Sequence, residues 1–216
     1  MISLNEEIAV KKVVTEIKEH LPGCSVVLVD SSTDQTAEIA ESLGVRVIKQ
    51  IPPIGYGPAM MLALRSAETE YVFTVDCDGT YPIADLKSLI RDTKDGDFDL
   101  ADGNRLPSKP KNMPLINYIG NKLFSVIASI LFFRHFPDLH SGMRGYKRDL
   151  IDLFGSVDSK HDALPVSLLL VPVALGKSLL IKDIGYDIRL GDSKMHALKT
   201  VFWTIARIFK ARFDRR

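Results

Sequence analysis

Cysteine is almost missing from this chain of 216 residues. Cys24 and Cys77 lie far apart and without metal-ligand spacing, which excludes a disulfide scaffold or a zinc module and leaves two thiols expected to be reduced. Long apolar runs are lacking too. The longest stretch without a charged residue is 15 residues, 50–64, and Pro52, Pro53 and Pro58 interrupt it, so it is too short and too broken to span a bilayer. Neither an internal repeat nor a low-complexity linker occurs, and no secretory pattern opens the chain, so the expectation is one cytoplasmic domain with a C-terminal appendage. What is present is ordinary: 46% apolar and 25% charged residues, enough for one substantial core and incompatible with disorder or a collagen-like repeat.

The formal net charge of +1 conceals an asymmetry. Residues 194–216 hold seven Lys/Arg against Asp214 alone, a charge of +6, which leaves 21 Lys/Arg against 26 Asp/Glu, or −5, in residues 1–193. An acidic body ending in a basic tail points to an anionic partner for the tail, either nucleic acid or a phospholipid surface.

Short β-branched runs alternate with helix-forming stretches. Val26-Val27-Leu28-Val29 reads as a strand ending on Asp30, followed by the capping segment Ser31-Ser32-Thr33-Asp34, a helix over 36–43, a stop at Gly44 and a second strand at Val45-Arg46-Val47-Ile48. The turn Gly55-Tyr56-Gly57-Pro58 leads into a helix over 59–67, and Tyr71-Val72-Phe73-Thr74-Val75 is apolar enough to be buried on both faces before Asp76-Cys77-Asp78. A helix over 85–92 and a weaker strand over 98–103 follow. This alternation predicts an α/β fold with a mostly parallel sheet covered by helices, in which ligands gather at the carboxyl ends of the strands. Asp30, Asp76 and Asp78 would open onto that edge.

Asp76 and Asp78, at i and i+2 past a buried strand, are close enough to share a hard divalent cation that also touches a phosphate, with Mg2+ or Mn2+ fitting best; the alternative is a cap on the helix near Pro82. Asp30 fits a ribose or base contact, or equally a cap on the following helix. Gly55 and Gly57 permit close backbone approach to a ligand, or simply a turn. Arg105, Arg144, Arg189 and Lys194 stand beside turn formers in loops of the kind that hold phosphate, although each taken singly also reads as a solvated surface charge.

Together these residues resemble the glycosyltransferase family 2 pattern, most closely its polyprenyl-phosphate branch of dolichol-phosphate mannosyl- and glucosyltransferases. The resemblance runs through Leu4-Asn5-Glu6-Glu7, Val29-Asp30 with Ser32 to Thr36, Gly55-Tyr56-Gly57-Pro58-Ala59, Asp76-Cys77-Asp78-Gly79-Thr80-Tyr81-Pro82, Gly103-Asn104-Arg105, Asp138 to Arg144 and Tyr186 to Lys194. It implies a Rossmann-like GT-A domain over 1–193 with helices on both faces of its sheet. Glu6, Asp30, Gly55 and Gly57 would bind the nucleotide, and Asp76 and Asp78 the metal and diphosphate. Arg105, Asn121, Arg144, Arg189, Ser193 and Lys194 would serve the donor and acceptor phosphates, with Asp138 as an active-site acid. The chain departs from the family pattern in a shortened Asp30-Ser31, in a first strand that Met1-Ile2-Ser3-Leu4 would leave stunted, and in Asn117, Asn121 and Lys122 where some relatives carry an arginine.

The implied reaction is inverting transfer of mannose or glucose from a GDP- or UDP-hexose to a polyprenyl phosphate. A lipid phosphate is already anionic near neutral pH, so it needs charge stabilisation rather than a general base, whereas a sugar hydroxyl would need one. A soluble-acceptor transferase and a sugar-nucleotide-binding membrane adaptor without turnover are the other readings. A nucleotidyltransferase is disfavoured because no glycine-rich loop follows the first strand.

Two segments bear on membranes. In 115–133, Asn117, Asn121, Ser125 and Ser129 recur every four residues as one polar stripe, and the wide remaining apolar face suits core or membrane. In 194–216, Met195, Leu198, Phe202, Ile205, Phe209 and Phe213 recur at three or four, with Trp203 among them and Lys199, Arg207, Lys210 and Arg212 elsewhere around the helix. That pattern predicts an amphipathic helix in the headgroup zone of an anionic bilayer rather than on nucleic acid, hence peripheral attachment to the cytoplasmic face; docking on the domain is the alternative.

Overall fold

A computed structural model describes residues 1–157, 159, 163–191 and 197–214. Ala9, Val10, Val13, Val14 and Ile17 recur every three or four residues along α1 (Glu7–His20), so one stripe of that helix is buried against the first sheet. The sheet comprises β1 (Ile2–Ser3), β2 (Val27–Asp30) and β3 (Arg46–Lys49), all parallel in that order, with α1 and α2 (Thr36–Ser42) as the crossovers that parallel pairing requires. Gly44, at φ +70°, turns the chain from α2 into β3.

After α3 (Tyr56–Arg65), the second sheet has the order β4-β6-β5-β7, from β4 (Tyr71–Thr74), β6 (Arg144–Lys147), β5 (Leu100–Asn104) and β7 (Leu179–Asp183). Its helices are α4 (Ile83–Asp95), α5 (Leu115–Phe132), α6 (Arg148–Leu153) and α7 (Leu164–Ala174), and α8 (Ala197–Phe213) closes the chain. Three of the five strand pairings are parallel; β6 alone runs backwards, against β4 and β5. Its first residue, Arg144, therefore lies opposite Thr74 and Asp102 near the carboxyl ends of the neighbouring strands, which brings the loop 138–143 to the edge where Asp76 emerges.

As expected, β1 is stunted. Its two residues pair with Val29 and Asp30, and a cavity of about 370 Å3 lined by Val27, Leu64, Tyr71 and Phe73 lies between the two sheets. The Met1 ammonium donates to the Val27 carbonyl at 2.9 Å, and burial lowers its pKa.

Helix α7 is apolar all round and accordingly buried along 164–172. Helix α8 packs on α7 and α5, with Thr204, Arg207 and Ile208 turned inward. Arg207 donates to the Ser167 hydroxyl at 2.8 Å, so it is not one of the solvated cations expected along this helix. The apolar residues Phe202, Ile205, Phe209 and Phe213 face outward. Helix α5 is oriented the same way. Ser125 donates to the Pro137 carbonyl at 3.0 Å and Ser129 accepts from the Phe136 amide at 2.9 Å, so these two serines of the polar stripe face the protein, with Phe124 and Ala128 buried beside them. Ile116, Ile119, Leu123, Val126 and Ile130 form an exposed ridge that ends at Phe133, which is 90% exposed.

Candidate active site

Both acid-bearing strands deliver their side chains to one edge, as their sequence predicts. Asp30, at the end of β2, is buried; its Oδ1 accepts from Ser3 Oγ at 2.6 Å and Ser32 Oγ at 2.5 Å. The helix-capping role considered for Asp30 falls instead to Asp34, whose Oδ1 accepts from the Thr36 amide at 3.0 Å and hydroxyl at 2.5 Å. Asp30 thus orders the turn after β2 rather than the helix beyond it.

Asp76 and Asp78 follow β4. Asp78 Oδ1 accepts from the Thr80 amide at 3.0 Å and hydroxyl at 2.7 Å, which fixes the carboxylate, while Oδ2 pairs with Arg189. The other arm of the Arg189 guanidinium reaches Glu6 Oε1 at 2.5 Å, so one cation bridges an acid after β1 and an acid after β4. Burial first, and the neighbouring Asp78 charge second, push the Asp76 carboxyl up to about 6. Two converging carboxylates with that excess of negative charge form a donor set suited to a hard divalent ion. Among the described residues no group of three or more His, Cys, Asp or Glu converges, so the pair is the protein's share of any such site.

Space for this pair is kept by Gly142. A Cβ there would stand 2.6 Å from the Asp76 carboxyl carbon, and the Gly142 amide donates to the Tyr81 hydroxyl at 2.6 Å. Replacing Gly142 with alanine must displace Asp76, and activity is expected to fall by about 10²-fold, the effect of roughly 1 Å of misplacement at a reacting centre. Steady-state turnover beside a melting curve checks this; an unchanged rate would show that Asp76 tolerates the shift.

Arg105 lies across the site. Its Nε and one terminal nitrogen donate to Asp138 at 2.7 and 3.0 Å, and its guanidinium lies 5.3 Å from the Tyr186 ring centroid. Burial alone would raise the Asp138 pKa, but the facing Arg105 outweighs it and holds Asp138 down to about 2. Fully buried and with both oxygens occupied, Asp138 orients Arg105 at the edge of the site.

Arg144 also needs correction. It is 1% exposed, with donors directed to Asp102 at 2.6 Å, the Leu139 carbonyl at 2.9 Å and the Pro165 carbonyl. All three guanidinium nitrogens are engaged inside the protein, so Arg144 braces β6 against β5 and α7 instead of meeting a phosphate. Asn121 is half-buried on α5, and no contact joins it to the strand-end cluster among the described residues. Gly55, at φ +92°, starts α3, and Gly57 lies in its first turn. Ser193 and Lys194 lie outside the described residues. Tyr81, Tyr186 and Thr80 were not singled out individually from the sequence, although the Asp76 to Pro82 and Tyr186 to Lys194 segments contain them. Their parts depend on contacts with distant elements, such as the 6.0 Å edge-to-face pair of Tyr81 and Tyr186.

The profile of Glycosyl transferase family 2 matches residues 1–154. The chain belongs to this family. It is similar to a dolichyl-phosphate hexose transferase of Haloferax volcanii, 36% identical over 196 residues that make up 90% of this chain and 84% of that protein. It is also 32% identical over 206 residues to a low-salt glycan biosynthesis hexosyltransferase of the same organism, covering 91% of this chain and about half, 49%, of that longer protein. The fold matches glucosyl-3-phosphoglycerate synthase from Mycobacterium tuberculosis, solved with Mn2+, UDP and glucosyl-3-phosphoglycerate, at a TM-score of 0.74 and 19% identity over 98% of this chain and 77% of that one. The protein is a glycosyltransferase with a GT-A fold.

Proposed function

We propose that this glycosyltransferase moves a hexose, with inversion, from a GDP- or UDP-sugar to a polyprenyl phosphate at an anionic membrane surface. The observation that carries the reading is the meeting of two neighbouring carboxylates, Asp76 and Asp78, with two arginines at one sheet edge, where Arg189 pairs with Asp78 and both Arg105 and Arg189 act on the Asp76 charge. Glu6 and Asp30 would face the nucleoside, with Gly55 and Gly57 in the turn that starts α3. Asp76 and Asp78 would hold Mg2+ or Mn2+, which when bound offsets the charge of the departing diphosphate. The synthase of similar fold binds Mn2+ with UDP, and the Haloferax relative bears the name of a dolichyl-phosphate hexose transferase.

Arg189, which bridges Glu6 and Asp78, would serve the donor phosphates in this reading. Arg105, oriented by Asp138 and the Tyr186 ring, would hold the acceptor phosphate in line with the anomeric carbon. Asn121, Ser193 and Lys194 complete the proposed phosphate side; Arg144 has no place in it. The acceptor class follows the name of the Haloferax relative and proton chemistry: a phosphate monoester arrives as an anion and needs no general base, so both oxygens of Asp138 can stay committed to Arg105.

Membrane attachment is supported by two helices with their polar sides inward. The only helix among those described that is long and apolar enough to cross a bilayer is α5, yet Phe124, Ser125 and Ala128 hold one face of it on the protein. Residues 103–137 and 197–213 contain no Asp or Glu, in a chain with 27 of them, so the exposed ridges of α5 and α8 offer apolar surface flanked by cations alone. Each exposed large apolar side chain inserted into lipid contributes roughly 1.5–3 kcal/mol, enough in combination to hold the domain at a surface. In this reading 1–193 is the catalytic domain and 194–216 its interfacial appendage, on the cytoplasmic face.

Two measurements test this. Labelled GDP- and UDP-hexoses incubated with short polyprenyl phosphates and Mg2+ or Mn2+ are expected to give one glycolipid product, and transfer only to soluble hydroxyl acceptors would overturn the assignment. The full chain is expected to float with phosphatidylglycerol vesicles, and Phe202→Glu with Phe209→Glu to abolish flotation; undiminished flotation of that variant would remove α8 from the interface.

A further inference from the structure

The loop 138–143 carries the residues that set both halves of the site, Asp138 beneath Arg105 and Gly142 beneath Asp76. Between them His140 points the other way. Its backbone amide donates to Asp138 Oδ1 at 2.9 Å, while its ring lies 5.7 Å from the Phe124 ring centroid on α5 and its Nε2 is 2.9 Å from Thr204 Oγ1 on α8. Thr204 is fully buried, and His140 Nδ1 is a buried atom without a hydrogen-bond partner, so the Thr204 hydroxyl is the ring's polar contact among the described residues. Burial keeps the ring neutral by lowering its pKa to about 4.

A threonine hydroxyl turned into the core of a helix whose phenylalanines face outward is costly unless it is paired. Here the pair joins an otherwise peripheral helix to the middle of a catalytic loop. The ring is wedged where α5, α8 and that loop meet. If Thr204 loses its oxygen, the imidazole keeps its apolar contacts with Phe124 but loses its hydrogen bond, and a second nitrogen is left buried and unpaired.

We propose that His140 is a positioning residue and that its hydrogen bond to Thr204 sets the loop 138–143, so that the seating of α8 on α5 and α7 determines how well Arg105 and Asp76 are aimed. This inference rests on the reading of Arg105 as the acceptor-phosphate ligand. It makes the C-terminal helix part of the transfer apparatus as well as an anchor, and it separates two properties of α8: its outward phenylalanines meet lipid and its inward threonine meets the loop.

The test compares the full-length protein with Thr204→Val, which keeps the shape and removes the hydroxyl, and Thr204→Ser, which keeps the hydroxyl. With a short polyprenyl phosphate in detergent, Thr204→Val is expected to lower kcat about tenfold, the equivalent of one buried hydrogen bond, and Thr204→Ser to restore it. Vesicle flotation should be unchanged in both, since the outward face of α8 is not altered. Hydrogen exchange across 138–146 supplies a readout without substrate: at least about fivefold faster exchange is expected in Thr204→Val, with α1 unaffected and the serine variant like wild type. Unchanged exchange in Thr204→Val, or a loss spread evenly over the domain without rescue by serine, would overturn the proposal. If no polyprenyl phosphate is used by the wild-type protein while the exchange pattern appears as expected, the acceptor reading fails and the coupling of α8 to the loop stands.

Discussion

Asp78→Ala is expected to lower hexose transfer by about three orders of magnitude while leaving the fold intact. The side chain performs three tasks at once: its Oδ1 closes the turn with Thr80, its Oδ2 meets Arg189, and with Asp76 it forms the carboxylate pair proposed to hold the cation. Losing the first costs a local turn of about 1 kcal/mol, a small change in melting temperature. Losing the third removes the charge stabilisation that a divalent ion would give the departing diphosphate, and the basic groups left at this edge do not replace it: Arg189 keeps Glu6 as a partner, Arg105 is paired with Asp138 and Arg144 with Asp102. Asp78→Asn keeps the turn acceptor without the charge, so it is expected to match wild type in melting and alanine in rate. Steady-state turnover with a labelled donor, beside a thermal melt, separates the two contributions.

Arg144→Met is expected to destabilise the protein by about 3–5 kcal/mol, because it leaves Asp102 charged and unpaired in the interior. Both side chains are 1% exposed. Burial raises the Asp102 carboxyl to about 6 even with Arg144 beside it, which shows how poorly this position tolerates an anion. Removal of the arginine also frees the carbonyls of Leu139 and Pro165, the one in the catalytic loop and the other at the start of α7. The expected fall in melting temperature is on the order of 10 °C. The double variant Arg144→Met, Asp102→Leu should recover most of it, since no charge is then buried. Urea unfolding of the two variants beside wild type measures this, and a single variant as stable as wild type would show that Asp102 is neutral in the folded protein.

Local patterns account for what was legible in the sequence. Val26 to Asp30 and Tyr71 to Asp78 are apolar runs ending on acids, a signature of strands that open onto a ligand edge, and both strands form, although Tyr71, Val72 and Phe73 are half-buried along the cavity beside the stunted β1 rather than buried on both faces. Helix α1 carries a signal of the same local kind in the spacing of Ala9, Val13 and Ile17. The strand β6 was not, because Arg-Gly-Tyr-Lys has no apolar alternation and pairs on both sides only after α5 has carried the chain back. The same distance hides the roles of the arginines. Arg105 and Arg144 each sit beside a glycine turn, and what separates the arginine proposed to meet the acceptor from the buried brace is which aspartate each meets, Asp138 or Asp102, 33 and 42 residues away. Helix α5 shows how a correct periodicity can leave orientation open: four polar residues in a stripe would ordinarily face water, but Ser125 and Ser129 find backbone partners at 136 and 137 and turn inward.

The central claim, that Asp76 and Asp78 hold a nucleoside diphosphate through a divalent cation, is tested most directly by calorimetric titration of GDP and UDP into the full chain in Mn2+ and in EDTA. One of the two nucleotides is expected to bind on the order of a hundredfold more tightly with the cation, and Asp78→Ala to remove that difference. Equal affinity in Mn2+ and EDTA for both nucleotides in the wild-type protein would contradict it.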